Sequence, residues 1–236
     1  VENLTDRDNV CIDARDIDGD GKAEIAVGAQ WNPGETSDEV KSGSIHYLIP
    51  PQDRTERWTA VELPHEPTIH RMRWLKTPTG EFELVVLPLH GRGNQGGEGA
   101  GVKAIAYQVP ADPNGPWPTT VIDDQMHKTH NLEIITNLPS DQNHENLLIA
   151  GVEGVFLFRN QNGSWTRRQI IGSEDGSGFV GAGEVRSGNL PGGGIFVATV
   201  EPMHGNQLAI YTPPDHGTGK RLGVRKLLFE GMTDGH

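Results

Sequence analysis

The residues best placed to do chemistry form two groups, and the first is acidic. In DIDGDGKAE, Asp16, Asp18, Asp20 and Glu24 occupy positions 1, 3, 5 and 9. Gly19 and Gly21 permit a sharp backbone path between them. Alternate residues of such a loop aim oxygens at one point, and the carbonyl of Lys22 at position 7 completes the shell. Carboxylates so crowded repel one another unless a divalent cation neutralises them. Hard oxygen donors in that number suit Ca²⁺ better than Mg²⁺, which keeps its waters. A solvated turn is the competing reading, since Asp and Gly are frequent turn residues. The register of all four carboxylates favours a structural calcium ion.

The second group is histidine. His70 opens the apolar run IHRMRWLK, His130 opens THNLEII, and His236 holds the corresponding place at the chain end. His90 in PLHGRGN and His204 in EPMHGNQ each follow an apolar run, as do Trp31 in AQWNP and Glu153 in GVEG. Neutral imidazoles with a carboxylate suit Zn²⁺ or another divalent transition metal. His70, His130 and His236 are the expected ligands of such a metal, with Glu153, Glu184 or Glu201 as the carboxylate. His90 or His204 is the expected base, since imidazole titrates near neutrality, and Glu153 or Glu201 the acid. Trp31 offers a face for a sugar ring. Of the neighbours His127 and His130, the second lies next to the strand and is preferred. Arg92 and Asn94, in the long loop GRGNQGGEGAG, are read as a sugar-binding lid. His46, His65, His144 and His216 do not share this placement and read as solvated or strand-edge residues.

These groups need elements to position them, and the chain repeats one plan four times. A polar start leads to a strand, a turn, a strongly apolar second strand, a third strand, and a short fourth rich in Thr, Val or Arg. Recurrence of four strands at roughly a 40–50-residue period marks a β-propeller. The expected fold is therefore all-β, with four four-stranded blades, forming a small ring or part of a larger one of about seven. Residues 1–236 read as a single propeller domain or segment, with blades near 10–63, 68–122, 130–171 and 180–229. In a blade, the start of strand one and the end of strand two open onto one face. The turn between them opens onto the other. The histidines then gather on one side and calcium on the opposite side.

Composition limits the partners. The formal charge of −12 repels phosphate backbones, so nucleic acid is not expected. The longest apolar runs, such as FELVVLPL, are too short to cross a bilayer as helices, and the start does not read as a signal peptide. Cys11 is alone, which excludes an internal disulfide and leaves the compartment undecided, with an extracellular or periplasmic one favoured.

DIDGDGKAEIAVG resembles the calcium-binding FG-GAP or VCBS-type propeller repeat. VVLPLHGRGNQGGEGAGVKAIAYQVPADPNGPWPTTVID followed by MHKTHNLEI is similar to the propeller domain of the aldos-2-ulose dehydratase (1,5-anhydro-D-fructose dehydratase) family. That resemblance implies a metal-dependent lyase that removes water from a keto-sugar, with a small carbohydrate as substrate and further blades or cupin domains elsewhere in a longer chain. Two rivals stand beside it. One is a non-catalytic calcium-binding module for protein or glycan binding; the other is a uronate-polysaccharide lyase, kept in view by Arg71, Arg73 and Arg92.

Overall fold

Each repeat buries its apolar second strand between two neighbours and leaves its last strand at an edge. The computed structural model describes residues 4–136, 138, 144–161, 163–173, 178–191, 194–213, 222–233 and 235. Among these described residues there are sixteen strands in four antiparallel sheets, each sheet ordered along the sequence or its reverse. The first sheet comprises β1 (Cys11–Arg15), β2 (Glu24–Ala29), β3 (Ser44–Ile49) and β4 (Thr59–Leu63). The second comprises β5 (Ile69–Lys76), β6 (Phe82–Pro88), β7 (Ala104–Gln108) and β8 (Thr119–Asp123). The third comprises β9 (Thr129–Ile135), β10 (Asn146–Gly151), β11 (Val155–Gln161) and β12 (Ser164–Ile171). The fourth comprises β13 (Glu184–Asn189), β14 (Ile195–Glu201), β15 (Gln207–Thr212) and β16 (Val224–Glu230).

Burial follows the sequence pattern. β6 (FELVVLP) and β10 (NLLIAG) are almost wholly buried, as a strand covered on both faces must be. The outer strands β4, β8, β12 and β16 alternate or lie exposed, and carry Thr, Arg, Lys and Glu. The fold is all-β, and the described residues form four four-stranded sheets of the kind that make propeller blades.

The chain divides into two compact units, Val1–His127 and Lys128–His236, each holding two sheets. In the first, Ala26, Ile45, Met72, Trp74, Leu84 and Tyr107 share a core. In the second, Leu148, Val155, Phe179, Val185, Val197 and Tyr211 do so. Each unit joins its two sheets by the same device. Trp74 N–H on β5 donates to Asp13 Oδ2 on β1 at 2.7 Å. Ser187 N–H on β13 donates to Glu133 Oε2 on β9 at 2.9 Å, and Ser187 Oγ donates to Oε1 at 2.8 Å. A carboxylate on one first strand thus satisfies a backbone donor of the next, which fixes the relative register of the two sheets.

Candidate functional site

The first strands of the second and third sheets are irregular at the same place. On β5, Ile69 pairs with Pro88 and Arg71 with Leu87, so His70 is the extra residue of a bulge. On β9, Asn131 pairs with Ala150 and Thr129 with Gly151, so His130 is the extra residue there. A bulge leaves one residue outside the ladder and turns its side chain away from the regular alternation. The two histidines therefore hold equivalent positions for a reason the bare spacing does not show.

His130 meets His204 within the second unit. Their Nε2 atoms lie 2.8 Å apart, with ring centroids 4.4 Å apart and planes at 88°. His130 is 2 % exposed. Its Nδ1 lies 2.7 Å from the carbonyl oxygen of Gly183, which can only accept, so Nδ1 carries a hydrogen. In the neutral ring, Nε2 then holds the lone pair, and His204 must donate its Nε2–H. That places the lone pair of His204 on Nδ1. Glu184 Oε1 stands 3.9 Å from His130 Nδ1 and favours positive charge on that ring. Asn131 Nδ2 donates to Glu184 Oε2 and holds the carboxylate in place.

The loop carrying His204 is tightly constrained. His204 has φ 53°, a left-handed conformation. A Cβ on Gly205 would lie 2.1 Å from the carbonyl oxygen of Glu201, so only glycine closes this turn. Gly183 is similarly close to the loop, with its would-be Cβ 3.0 Å from His204 N.

In the first unit, Trp31 stacks on His70 with centroids 4.8 Å apart and planes at 29°. Arg71 Nη1 donates to His70 Nδ1 at 3.3 Å and to the His70 carbonyl at 3.0 Å. Since a guanidinium cannot accept, Nδ1 accepts and the ring's hydrogen belongs on Nε2. That tautomer opposes metal ligation through Nε2. His90 is tied back by its amide, which donates to Thr68 Oγ1 at 3.1 Å.

The structure places the other candidate residues against protein partners. Arg92 bonds Glu66 Oε2 at 2.8 Å, the Ser37 carbonyl at 3.1 Å, and Glu39. Asn94 is fully buried, donating to the Ala100 and His127 carbonyls and accepting from Gly97 N–H. Both residues brace the glycine-rich loop, because a buried amide and a shared guanidinium are already committed to protein partners. Glu201 is fully buried and accepts from Thr199 Oγ1 at 2.6 Å, Tyr211 OH at 2.7 Å and Arg225 Nη2 at 2.8 Å. Trp31 carries His70 against one face of its ring. Glu153 lies in the β10–β11 turn, where its carbonyl accepts from Gln169 Nε2. His46 is buried on β3, and burial holds its imidazole below the usual value, against the attraction of Asp6 and Glu62. The His65 side chain is also largely buried. His236 and His216 lie outside the described residues.

The acidic loop joins β1 to β2. Asp16, Asp18 and Glu24 each offer an oxygen within 4.8 Å of the others. Asp20 is not of that group; its Oδ1 accepts from Lys22 N–H at 2.7 Å and its Oδ2 lies 3.4 Å from Lys22 Nζ. Asp16 oxygens accept from Gly19 and Gly21 N–H at 2.7 and 2.9 Å, and Glu24 Oε2 from Ile17 N–H at 3.1 Å. Burial pushes the Glu24 carboxyl up, as do Asp18 and Asp20, while the Ile17 amide and Arg54 lower it.

Sequence reasoning missed Glu133, Asn131 and Arg225. None sits in a recognisable spacing; only the fold brings each beside its partner.

Four-stranded blades define a β-propeller, and within it an FG-GAP repeat matches residues 12–48, which include the acidic β1–β2 turn. The profile of the aldos-2-ulose dehydratase β-propeller domain matches residues 42–214, and the chain belongs to that family. A curated relative, aldos-2-ulose dehydratase of Phanerodontia chrysosporium, is 24% identical over 217 residues, covering 87% of this chain and 23% of that protein. The chain thus spans under a quarter of that relative's length.

Proposed function

We propose that the chain carries proton-transfer residues of a carbohydrate dehydratase acting on a keto-sugar. The observation that carries this reading is the 2.8 Å contact between His130 and His204 Nε2, in a chain of the aldos-2-ulose dehydratase family. His204 Nδ1 takes the proton from the carbon next to the carbonyl. The electron pair of that C–H bond forms the new double bond as the C–O bond to the β-hydroxyl breaks. The added charge spreads when the Nε2 proton of His204 passes to His130, whose imidazolium Glu184 stabilises. The proton then returns to the departing hydroxyl, so that water leaves and the pair is restored.

A divalent transition metal would polarise the substrate carbonyl. His130 and His204 match such a metal in donor type but not in arrangement. Two imidazoles on one tetrahedral zinc stand about 3.3 Å apart at ordinary bond lengths, and the oxygen and nitrogen ligand groups of three among the described residues comprise Asp16, Asp18 and Glu24. The steps above therefore use the imidazoles alone.

The full chain incubated with an aldos-2-ulose, followed by ultraviolet absorbance of the conjugated product, tests the reading. His204→Asn keeps a residue tolerant of positive φ while removing the base. It should lower turnover about 10²–10⁴-fold with an unchanged melting temperature. Wild-type protein without turnover would instead support a second reading, a calcium-binding module that docks a partner, which the FG-GAP match and the Asp16–Asp18–Glu24 cluster favour.

A further inference from the structure

A cavity of about 350 Å³ opens in the first unit, at the end of the sheets that carries the acidic loop. Asp18 forms one side, while Glu81, Glu83 and Gln108 form others; Ile17, Phe82 and Val109 give it apolar walls. Its volume is at the small end of ligand sites, about 300–1,000 Å³. Among the described residues, no lysine or arginine lines it.

Glu83 distinguishes this cavity from an ordinary acidic surface. It is 7 % exposed, and its Oε2 is buried with no hydrogen-bond partner among the described residues. Its Oε1 accepts from Gln108 Nε2 at 3.4 Å, a long contact. A buried carboxylate so thinly satisfied is costly unless something brings it a donor and a positive charge. Burial pushes its carboxyl up; the Gln108 bond opposes this and the Glu81 charge adds to it.

The form of the site selects the cation. Glu81 and Glu83 are absent from the converged group of Asp16, Asp18 and Glu24, so their oxygens do not meet at one point as a bare ion requires. An ammonium group can be held by one carboxylate, where a bare divalent ion needs a shell of oxygens, and a short carbon chain suits the apolar walls. Phe82 already receives one cation, with Arg15 Cζ 4.6 Å from its ring centroid. We propose that this cavity binds a primary alkylammonium group, its nitrogen donating to the Glu83 carboxylate and its chain along Ile17, Phe82 and Val109, with Asp18 and Glu81 adding negative potential at the rim. The site is independent of the histidine pair and of any dehydratase activity.

The test titrates the full chain, in saturating calcium so that the acidic loop is occupied, with n-butylamine, Nα-acetyl-lysine methylamide and n-butanol, read by calorimetry at neutral pH. Saturable binding of n-butylamine, without binding of n-butanol, is expected. Equal binding of the lysine derivative assigns the natural source to a lysine side chain, and preference for n-butylamine assigns it to a free amine. Glu83→Gln should weaken binding about tenfold, the cost of one charged hydrogen bond. Glu81→Gln, at an exposed position, applies the same test without touching the core. Equal binding of amine and alcohol, no saturable binding, or unchanged affinity in both variants would overturn the site.

Discussion

His130 Nε2 and His204 Nε2 lie 2.8 Å apart with their rings nearly perpendicular, and one proton must lie between them. Two protonated nitrogens cannot face each other at that distance, so each ring's state depends on the other. The two should act as a unit. His130→Gln and His204→Asn are each expected to lower dehydration about 10²–10⁴-fold, and the double variant to be no slower than the worse single one. Steady-state rates of the three variants check this.

The Glu201–Arg225 pair is expected to hold the base of the His204 loop. Arg225 donates through Nη2 to Glu201 at 2.8 Å and to Gln207 Oε1 at 2.9 Å. Arg225→Met leaves a fully buried carboxylate without its charge partner, which should cost about 3–5 kcal/mol. Adding Glu201→Gln to that variant should restore most of the loss. Urea denaturation of the single and double variants measures it.

Calcium should stabilise the fold through the β1–β2 loop. At a free concentration about 100 times the dissociation constant, binding to the native state alone adds about 2.7 kcal/mol. Thermal melts with calcium and with chelator should differ by several degrees, and Asp16→Asn should erase the difference. Asp20→Asn should preserve much of it, because Asp20 stands outside the converged oxygens and is turned to Lys22.

Glu83 should make stability fall as pH rises. Its folded pKa is raised above the ordinary 4.5, so between the two values the folded state binds more protons than the unfolded one. Stability then decreases with pH across that window and stays low above it. Glu83→Gln should therefore raise the melting temperature at pH 7 by about 2–4 °C and have little effect near pH 4. Melts of both proteins over that pH range check the sign.

The fold class was legible because each blade announces itself through an apolar second strand such as FELVVLP and a polar last strand such as TTVID. The acidic loop was legible in part: spacing marks Asp16, Asp18 and Glu24, but it also marks Asp20, whose side chain bends to the following backbone. The histidines were legible as a phase and not as contacts. His130 and His204 are far apart in sequence, and their meeting depends on a bulge that adds one residue to β9. Nothing in THNLEII signals that bulge. Arg92 and Asn94 show protein partners that their spacing does not announce. Loop polarity suggests ligands, while the folded loop uses polar side chains to satisfy its own backbone carbonyls and neighbouring carboxylates.

The most direct test of the central claim is hydrogen exchange at the carbon beside the carbonyl of an aldos-2-ulose, followed by NMR in D₂O. The wild-type protein should remove that hydrogen, and His204→Asn should do so at least about 100-fold more slowly. Removal by His204→Asn at the wild-type rate would contradict it.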